Sequence, residues 1–177
     1  MKFKIVLFTA IAAVAFTGCG SSSDYPDVTG NVKDALKANG LGQVNVSQDR
    51  QKGVVTLSGT LPSDADKAKA EQLAKNEAGN QVVADEIAVA PPGNEHDTKT
   101  ANSDIDKAIE KNLDAALIQN GLKKAVNYSV KNGVVTLTGD VKTQALRNQA
   151  AEVAKSVPNV AQVVNEIQLK NQPATSH

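Results

Sequence analysis

Few side chains in this sequence could perform catalysis, and none lies in a motif that would orient it. The chain contains two histidines, His96 and His177, and one cysteine. His96 stands between Glu95 and Asp97, but no nucleophile lies at a spacing that would make it a general base in a triad. We therefore interpret His96 as a solvated residue of a polar segment.

A pair of glutamates recurs at a spacing of eighty residues. Glu86 and Glu166 occupy equivalent places in two similar segments, and paired carboxylates can perform general acid–base catalysis. However, they fall on predicted strands of separate domains, on the face opposite the presumed core. We predict that both belong to solvated strand faces. The sequence thus predicts a protein that is not an enzyme, with no catalytic residue, metal site or cofactor.

Cys19 is the residue best suited to covalent modification. Residues 1–18 combine two lysines with an apolar run too short to span a bilayer, which is typical of a signal peptide. The Thr-Gly-Cys-Gly sequence around Cys19 resembles the lipobox of bacterial lipoproteins, with Phe16 in place of the usual leucine. The resemblance implies a diacylglycerol-modified Cys19, a lipidated tether over residues 19–26, and the outer membrane, because Gly20 follows the cysteine. A plain secretory signal with an unmodified cysteine is the alternative.

The two halves of the chain differ in charge although the whole is formally neutral. Residues 24–98 contain twelve Asp/Glu and seven Lys/Arg, a net charge of −5, whereas the residues from 99 onward contain seven and ten, a net charge of +3. Lysines near an anionic membrane contribute about 1 kcal/mol each at low salt. The candidate contacts with anionic phospholipid are Lys107, Lys111, Lys123, Lys124 and Lys131. The alternatives are attraction between the two halves, or drift.

A seven-residue segment appears twice and organises the chain. Residues 53–59 read Gly-Val-Val-Thr-Leu-Ser-Gly, and residues 133–139 differ from them by one Ser/Thr exchange. Such a β-branched run between glycines predicts a short strand between two turns. The repeat predicts two copies of one small domain. Gly59 and Gly139 are predicted to be structural, with positive φ or a close neighbour that leaves no room for a Cβ atom.

The flanking patterns predict helix, strand, strand, helix and strand in each copy, an α+β fold in which a three-stranded mixed sheet packs on two helices. We assign residues 27–90 to the first copy, 91–102 to a linker, 103–170 to the second copy and 171–177 to a disordered tail. Residues 90–97, which include Pro91 and Pro92, are predicted to be neither helix nor central strand, and Ser103 is predicted to cap the next helix. Its apolar stripe is predicted to include Ile105.

The αββαβ order, the repeated glycine-flanked strand and the Val-Val-Asn-Glu-Ile sequence at residues 163–167 resemble the BON domain of bacterial envelope proteins. Behind a lipobox, the tandem resembles dual-BON outer-membrane lipoproteins. The resemblance implies phospholipid binding and support of envelope integrity and stress tolerance, on the periplasmic face of the outer membrane in a Gram-negative-type envelope. The alternative is a periplasmic chaperone or scaffold that binds other envelope proteins through an open sheet face formed by Val134, Thr136 and Thr138.

Nucleic acid is not an expected partner. The formal charge is near zero, and past Cys19 the only aromatic residues are Tyr25 and Tyr128. Single-stranded nucleic acids are bound by basic grooves with stacked aromatic rings, and this sequence provides neither.

Overall fold

The computed structural model describes residues 25–170, so the predicted signal peptide, Cys19 and the predicted tail lie outside the described residues. Each copy has the predicted order of elements. The first copy contains α1 (Thr29–Ala38), β1 (Asn45–Asp49), β2 (Val54–Leu61), α2 (Asp64–Ala78) and β3 (Val82–Val89). The second contains α3 (Glu95–Gln119), β4 (Val126–Lys131), β5 (Val134–Val141), α4 (Gln144–Lys155), β6 (Gln162–Asn165) and β7 (Gln168–Leu169).

Both sheets are mixed, which confirms the predicted fold class. β2 lies between an antiparallel β1 and a parallel β3, and β5 lies in the same way between β4 and β6. A tight turn suffices to reverse the chain between antiparallel strands, whereas the parallel strands need the helical crossovers α2 and α4. The last strand, predicted as continuous, is divided into β6 and β7. The Glu166 amide still donates to the Leu137 carbonyl at 2.8 Å, so the second segment stays aligned with β5.

The crossover helices begin where their capping residues predict. The Ser63 hydroxyl accepts a hydrogen bond from the amide of Asp66 at 3.1 Å. In the second copy, the Thr143 hydroxyl accepts from the amide of Leu146 at 3.2 Å. Each cap satisfies one of the amides that a helix N-terminus leaves without an intrahelical partner.

Helix α3 begins nine residues earlier than the predicted cap at Ser103 implies, so residues 95–102 of the expected linker are helical. Pro91 to Asn94 lie outside the helix, but Glu95 starts it, and His96 is helical. Acidic side chains in the first turn, Glu95 and Asp97, favour this start because they interact with the positive end of the helix dipole. In the predicted part of the helix, the Asp106 carboxylate accepts from the amides of Asn132 and Gly133 in the β4–β5 turn at 2.8 and 2.9 Å. In the added turns, the Asn102 side chain donates to the Asn132 side chain at 3.2 Å.

Each copy has its own hydrophobic core between the helices and the inner face of its sheet. Representative buried residues are Val32, Leu36, Leu57, Ala70 and Ile87 in the first copy, and Ile109, Leu113, Leu137, Ala154 and Ile167 in the second. Ile105 is not among them, contrary to the prediction, since it is 44% exposed. It lies beside Asn132 and Gly133, which form the turn between β4 and β5.

The two repeated glycines have positive φ, as predicted, with values of 128° at Gly59 and 120° at Gly139. A Cβ atom at Gly139 would lie 2.3 Å from the carbonyl oxygen of Ala125, and one at Gly59 would lie 3.4 Å from that of Gln43. The crowding neighbour is therefore the backbone just before β4 or β1 and not a helix. Glycine is required because it alone tolerates both this φ and this proximity.

Candidate functional site

The five candidate lysines are not assembled into one free basic surface. Lys107 pairs with Asp104 at 3.1 Å, and Lys131 pairs with Glu86 of the first copy at 3.0 Å. Lys123 pairs with Asp114. Lys111 and Lys124 are exposed, and neither forms an ion pair within residues 25–170. The edge therefore has two free lysines, two that share their charge with a surface carboxylate, and one used between the copies.

Lys123 belongs to a small polar cluster at the C-terminal half of α3. Its ammonium lies 4.6 Å from the centroid of the Tyr128 ring, and the Tyr128 hydroxyl donates to Asp114 at 2.9 Å. The hydrogen bond from Lys123 lowers the pKa of Asp114, and the same bond raises the pKa of Lys123. Burial raises the pKa of Tyr128. Lys123 is thus held in place as a cation against the second copy.

Glu86 and Glu166 are not solvated, because each forms an ion pair with the other copy. Glu166 accepts from the Lys52 ammonium at 2.5 Å, and its side chain is 10% exposed. Glu86 accepts from Lys131 at 3.0 Å. The hydrogen bond that Lys52 donates to Glu166 raises the pKa of Lys52. The prediction placed both glutamates on the sheet face opposite the core, which is correct, but that face is covered.

The outer faces of the two sheets meet around a small apolar cluster of Val54, Ala84, Val134 and Val164. Val134 is 2% exposed, so the open face predicted for chaperone binding is closed at that position. Polar contacts continue along the free edge of β3. The Gln162 side chain accepts from the Asp85 amide at 3.0 Å and donates to the Val83 carbonyl at 2.7 Å. These bonds satisfy backbone groups of an edge strand that would otherwise be unpaired.

The inter-copy interface is approximately twofold. Val54 and Ala84 meet Val134 and Val164, which are their own counterparts at the spacing of eighty, and each copy supplies one lysine and one glutamate to the two ion pairs. The pairs therefore cancel equal charge from both copies. The −5 and +3 imbalance remains outside the interface, so attraction between oppositely charged copies does not account for it. No sequence pattern predicts that Lys52 or Gln162 contacts the other copy. The only sequence signal for this interface is that Glu86 recurs as Glu166.

Asp85 is the one buried carboxyl among the described residues. It is 7% exposed and points to the core side of β3, where its carboxylate accepts from the Ile87 amide at 3.1 Å. Burial raises its pKa. Asn165 occupies the equivalent place and accepts from the Ile167 amide at 3.2 Å, while its NH₂ group donates to the Arg147 carbonyl at 3.0 Å. The shared role is structural, because both side chains bind the backbone two residues ahead.

The end of the predicted tether is bound to the first copy. The Tyr25 amide donates to the Arg50 carbonyl at 2.8 Å, and the Arg50 Nε donates back to the Tyr25 carbonyl at 2.9 Å. The Pro26 carbonyl accepts from Gln48 at 2.8 Å and from Gln81 at 3.1 Å. Residues 25 and 26 are thus part of the folded unit, and the predicted boundary at residue 26 is two residues too late.

The histidine and the carboxylates form no metal centre within residues 25–170, where no group of three or more His, Cys, Asp and Glu side chains is suitably placed. His96 lies 3.7 Å from Asp97, and both side chains are almost fully exposed. In the same part of the chain, no helix is long and apolar enough to cross a membrane.

Similarity to known proteins extends over most of the chain. A curated protein of Anaplasma centrale, described as an uncharacterized protein in the gshII 5′ region, is 32% identical over 130 residues, which cover 72% of this chain and 81% of that protein. The osmotically-inducible protein Y of Escherichia coli (strain K12) is 30% identical over 154 residues, which cover 85% of this chain and 75% of that protein.

Among solved structures, the C-terminal domain of CdsD, a structural protein of the type III secretion system of Chlamydia trachomatis, matches 84% of this chain with 14% identity and a TM-score of 0.35. At that score the likeness supports no argument about this protein. The sequence model of the BON domain, in contrast, matches residues 24–91 and again residues 105–171. With two matched domains that fold alike and dock on each other, the chain belongs to the BON domain family.

Proposed function

We propose that this is a non-catalytic protein of the bacterial envelope that binds anionic phospholipid. It is anchored by a lipid on Cys19 to the periplasmic face of the outer membrane, and it supports the envelope during osmotic stress. The resemblance of the leader to a lipobox supports the anchor. The name of the osmotically-inducible relative supports the link to osmotic stress.

The observation that carries lipid binding is the charge imbalance left over by the interface. Because the two inter-copy ion pairs take one cation and one anion from each copy, the second copy keeps its net positive charge for other contacts. Among the five candidate lysines, Lys111 and Lys124 are the two without an ion-pair partner in the described residues. Lys107 and Lys123 add to them when a membrane competes with their exposed carboxylate partners.

Such an edge binds a membrane weakly by itself, but it can be effective when a lipid anchor holds the protein at the membrane. Each lysine near an anionic surface contributes about 1 kcal/mol at low salt, and the attraction falls off within a Debye length. A lipid anchor raises the effective concentration of the folded unit at the membrane, so a weak site suffices. Lys131 contributes little to this edge, since it is engaged by Glu86.

Flotation of the soluble fragment 20–177 with phosphatidylglycerol vesicles tests the proposal. We expect binding at low salt that is lost at high salt and absent with phosphatidylcholine. Lys107→Glu/Lys111→Glu and Lys123→Glu/Lys124→Glu should each reduce it. The matched control is Lys33→Glu/Lys37→Glu, which changes the same charge at the same spacing on α1. Equal loss in all three variants, or no binding by the wild type, would refute this edge as a lipid site.

The chaperone or scaffold function is less favoured by the geometry, because Val134 is covered by the first copy. It requires the two copies to separate. Suppression of the aggregation of an unfolded client protein, without any vesicle binding, would favour it over lipid binding.

A further inference from the structure

The folded unit has a fixed point from which the chain leaves toward Cys19. Tyr25 exchanges two hydrogen bonds with Arg50, and its ring lies so close to Gly53 that a Cβ atom there would be 2.6 Å from it. The next residues continue along strand β1, since the amide of Val28 donates to the Gln48 side chain at 3.1 Å. The exit point is therefore the tip of the β1–β2 hairpin.

That hairpin tip lies toward the same end of the second copy as the C-terminus of α3. Lys52, next to Gly53, shares a cavity of about 220 Å³ with Gly139 and Glu166. Gly139 in turn abuts Ala125, whose carbonyl oxygen would lie 2.3 Å from a Cβ atom at the glycine. Ala125 directly follows Lys123 and Lys124. We call this end of the molecule the anchor end; it comprises residues 49–53 with Tyr25, and residues 119–125.

Lys131 and Lys107 lie toward the other end. Lys131 closes β4, and five residues at about 3.4 Å each place it about 17 Å from Val126 at the anchor end. Lys107 precedes Gln119 by twelve residues of helix α3, or about 18 Å. Lys123 and Lys124 thus lie at the end where the first copy releases the chain. Lys111 lies between the two ends, eight residues of α3 before Gln119, or about 12 Å.

The length of the chain before Tyr25 limits which end can meet a bilayer. The six residue steps from Cys19 to Tyr25 span at most about 22 Å. With a lipid on Cys19, the anchor end can touch the bilayer at any extension of these residues. For Lys131 to be the part of the protein closest to the bilayer, the residues between Cys19 and Tyr25 would have to be almost fully extended and the folded unit would have to be inverted.

We propose that the anchor end is the membrane-facing surface, built by both copies, with the tip of the first copy's hairpin held at the anionic bilayer beside Lys123 and Lys124. The proposal rests on the lipid anchor of the proposed function. The hairpin tip provides no net positive charge, because Arg50 lies near Asp27, and Lys52 is paired with both Asp49 and Glu166. Its position is therefore set by the tether, while the attraction comes from the second copy. The first copy does not face away from the membrane, contrary to what its net charge suggests.

Single-site labelling of the acylated full-length protein tests this orientation. Cys19 is the only cysteine in the chain and is blocked by its lipid, so an introduced cysteine can be labelled alone. The sites are Gln51→Cys at the hairpin tip, Gln119→Cys at the end of α3, and Ala108→Cys as the matched control. Ala108 and Gln119 are both exposed and lie three turns apart on one face of α3, separated by about 16 Å.

Each labelled protein, carrying a fluorophore, is reconstituted in phosphatidylglycerol-containing vesicles with a quencher attached to the lipid headgroups. We expect quenching at residues 51 and 119 to exceed that at residue 108 at least threefold. Quenching at residue 108 that equals or exceeds the other two would overturn the proposal, as would the absence of quenching at all three sites. Fatty-acid labelling of Cys19 and flotation of the soluble fragment report separately on the anchor and on lipid affinity, so failure of the orientation is distinguishable from failure of either.

Discussion

The two repeated glycines differ in their surroundings, which makes Gly139→Ala a sharp test of the packing described. Both positions have φ values that L residues rarely adopt, 120° at Gly139 and 128° at Gly59. Any side chain at either site therefore costs about 1–3 kcal/mol of backbone strain. At Gly139 the new Cβ also meets the Ala125 carbonyl oxygen at 2.3 Å, whereas at Gly59 the nearest atom is the Gln43 carbonyl oxygen at 3.4 Å.

The difference between the two substitutions isolates the clash. A contact at 2.3 Å must be relieved by moving backbone, and overpacking of this kind costs about 1–3 kcal/mol. We expect Gly139→Ala to lower the free energy of unfolding by about 2 kcal/mol more than Gly59→Ala. In domains of this size that difference corresponds to a melting temperature roughly 10 °C lower. Gly139→Val should cost more again, because its branch adds a second close contact.

Thermal melting followed by circular dichroism, with urea titration for the free energy, measures both variants against the wild type. The same loss of stability in the two alanine variants would show that Ala125 moves freely and that only the backbone φ matters. An unchanged melting temperature for Gly139→Ala would refute the conformation itself.

Three further outcomes are expected. Burial raises the pKa of Asp85 in the folded state, so the free energy of unfolding falls as the pH rises from the pKa of the unfolded state through that of the folded state. Asp85→Asn, which reproduces Asn165 of the second copy, should therefore raise the melting temperature at neutral pH. This gain should vanish in acid, where Asp85 is protonated. A double-mutant cycle with Lys52→Gln and Glu166→Gln should give a coupling of about 1 kcal/mol that shrinks in 1 M salt, as expected for a partly buried ion pair, and zero coupling in dilute buffer would contradict the pair. Cys19→Ser should leave the precursor uncleaved by the lipoprotein peptidase and free of labelled fatty acid, whereas normal processing would exclude the lipobox.

The fold within each copy was predictable because local signals and core burial agree. Short local sequence patterns predict the glycine-flanked strands, the turn at Asn132 and the helix caps at Ser63 and Thr143. The start of α3 was missed because the polar segment after Pro91 and Pro92 was predicted to be non-helical and Ser103 was taken as the cap. Within the extension from Glu95, the contact that only the folded chain provides is that of Asn102 with Asn132 in the hairpin turn.

The relation between the copies was not predictable in the same way. A glutamate that alternates out of the core looks the same whether water or a second sheet covers it, and Glu86 and Glu166 were therefore assigned to solvent. The lysines that bind them lie in hairpin turns 45 residues or more away in sequence. Likewise, the composition around Tyr25 and Pro26 is that of a flexible tether. Only their hydrogen bonds to the β1–β2 hairpin show that they belong to the folded unit.

The central claim is that the two BON domains form one unit through the outer faces of their sheets. A carbodiimide converts a lysine–carboxylate ion pair into an amide without adding a spacer, so it reports such contacts directly. The Lys75–Glu71 pair within α2, at 2.7 Å, provides a positive control that does not depend on how the copies are arranged.

Digestion and mass spectrometry of the cross-linked monomer is the most direct measurement. We expect two cross-copy peptides, joining Lys52 to Glu166 and Lys131 to Glu86, at yields comparable with the control. Cross-links within α2 alone, with neither cross-copy peptide present, would contradict the docked arrangement.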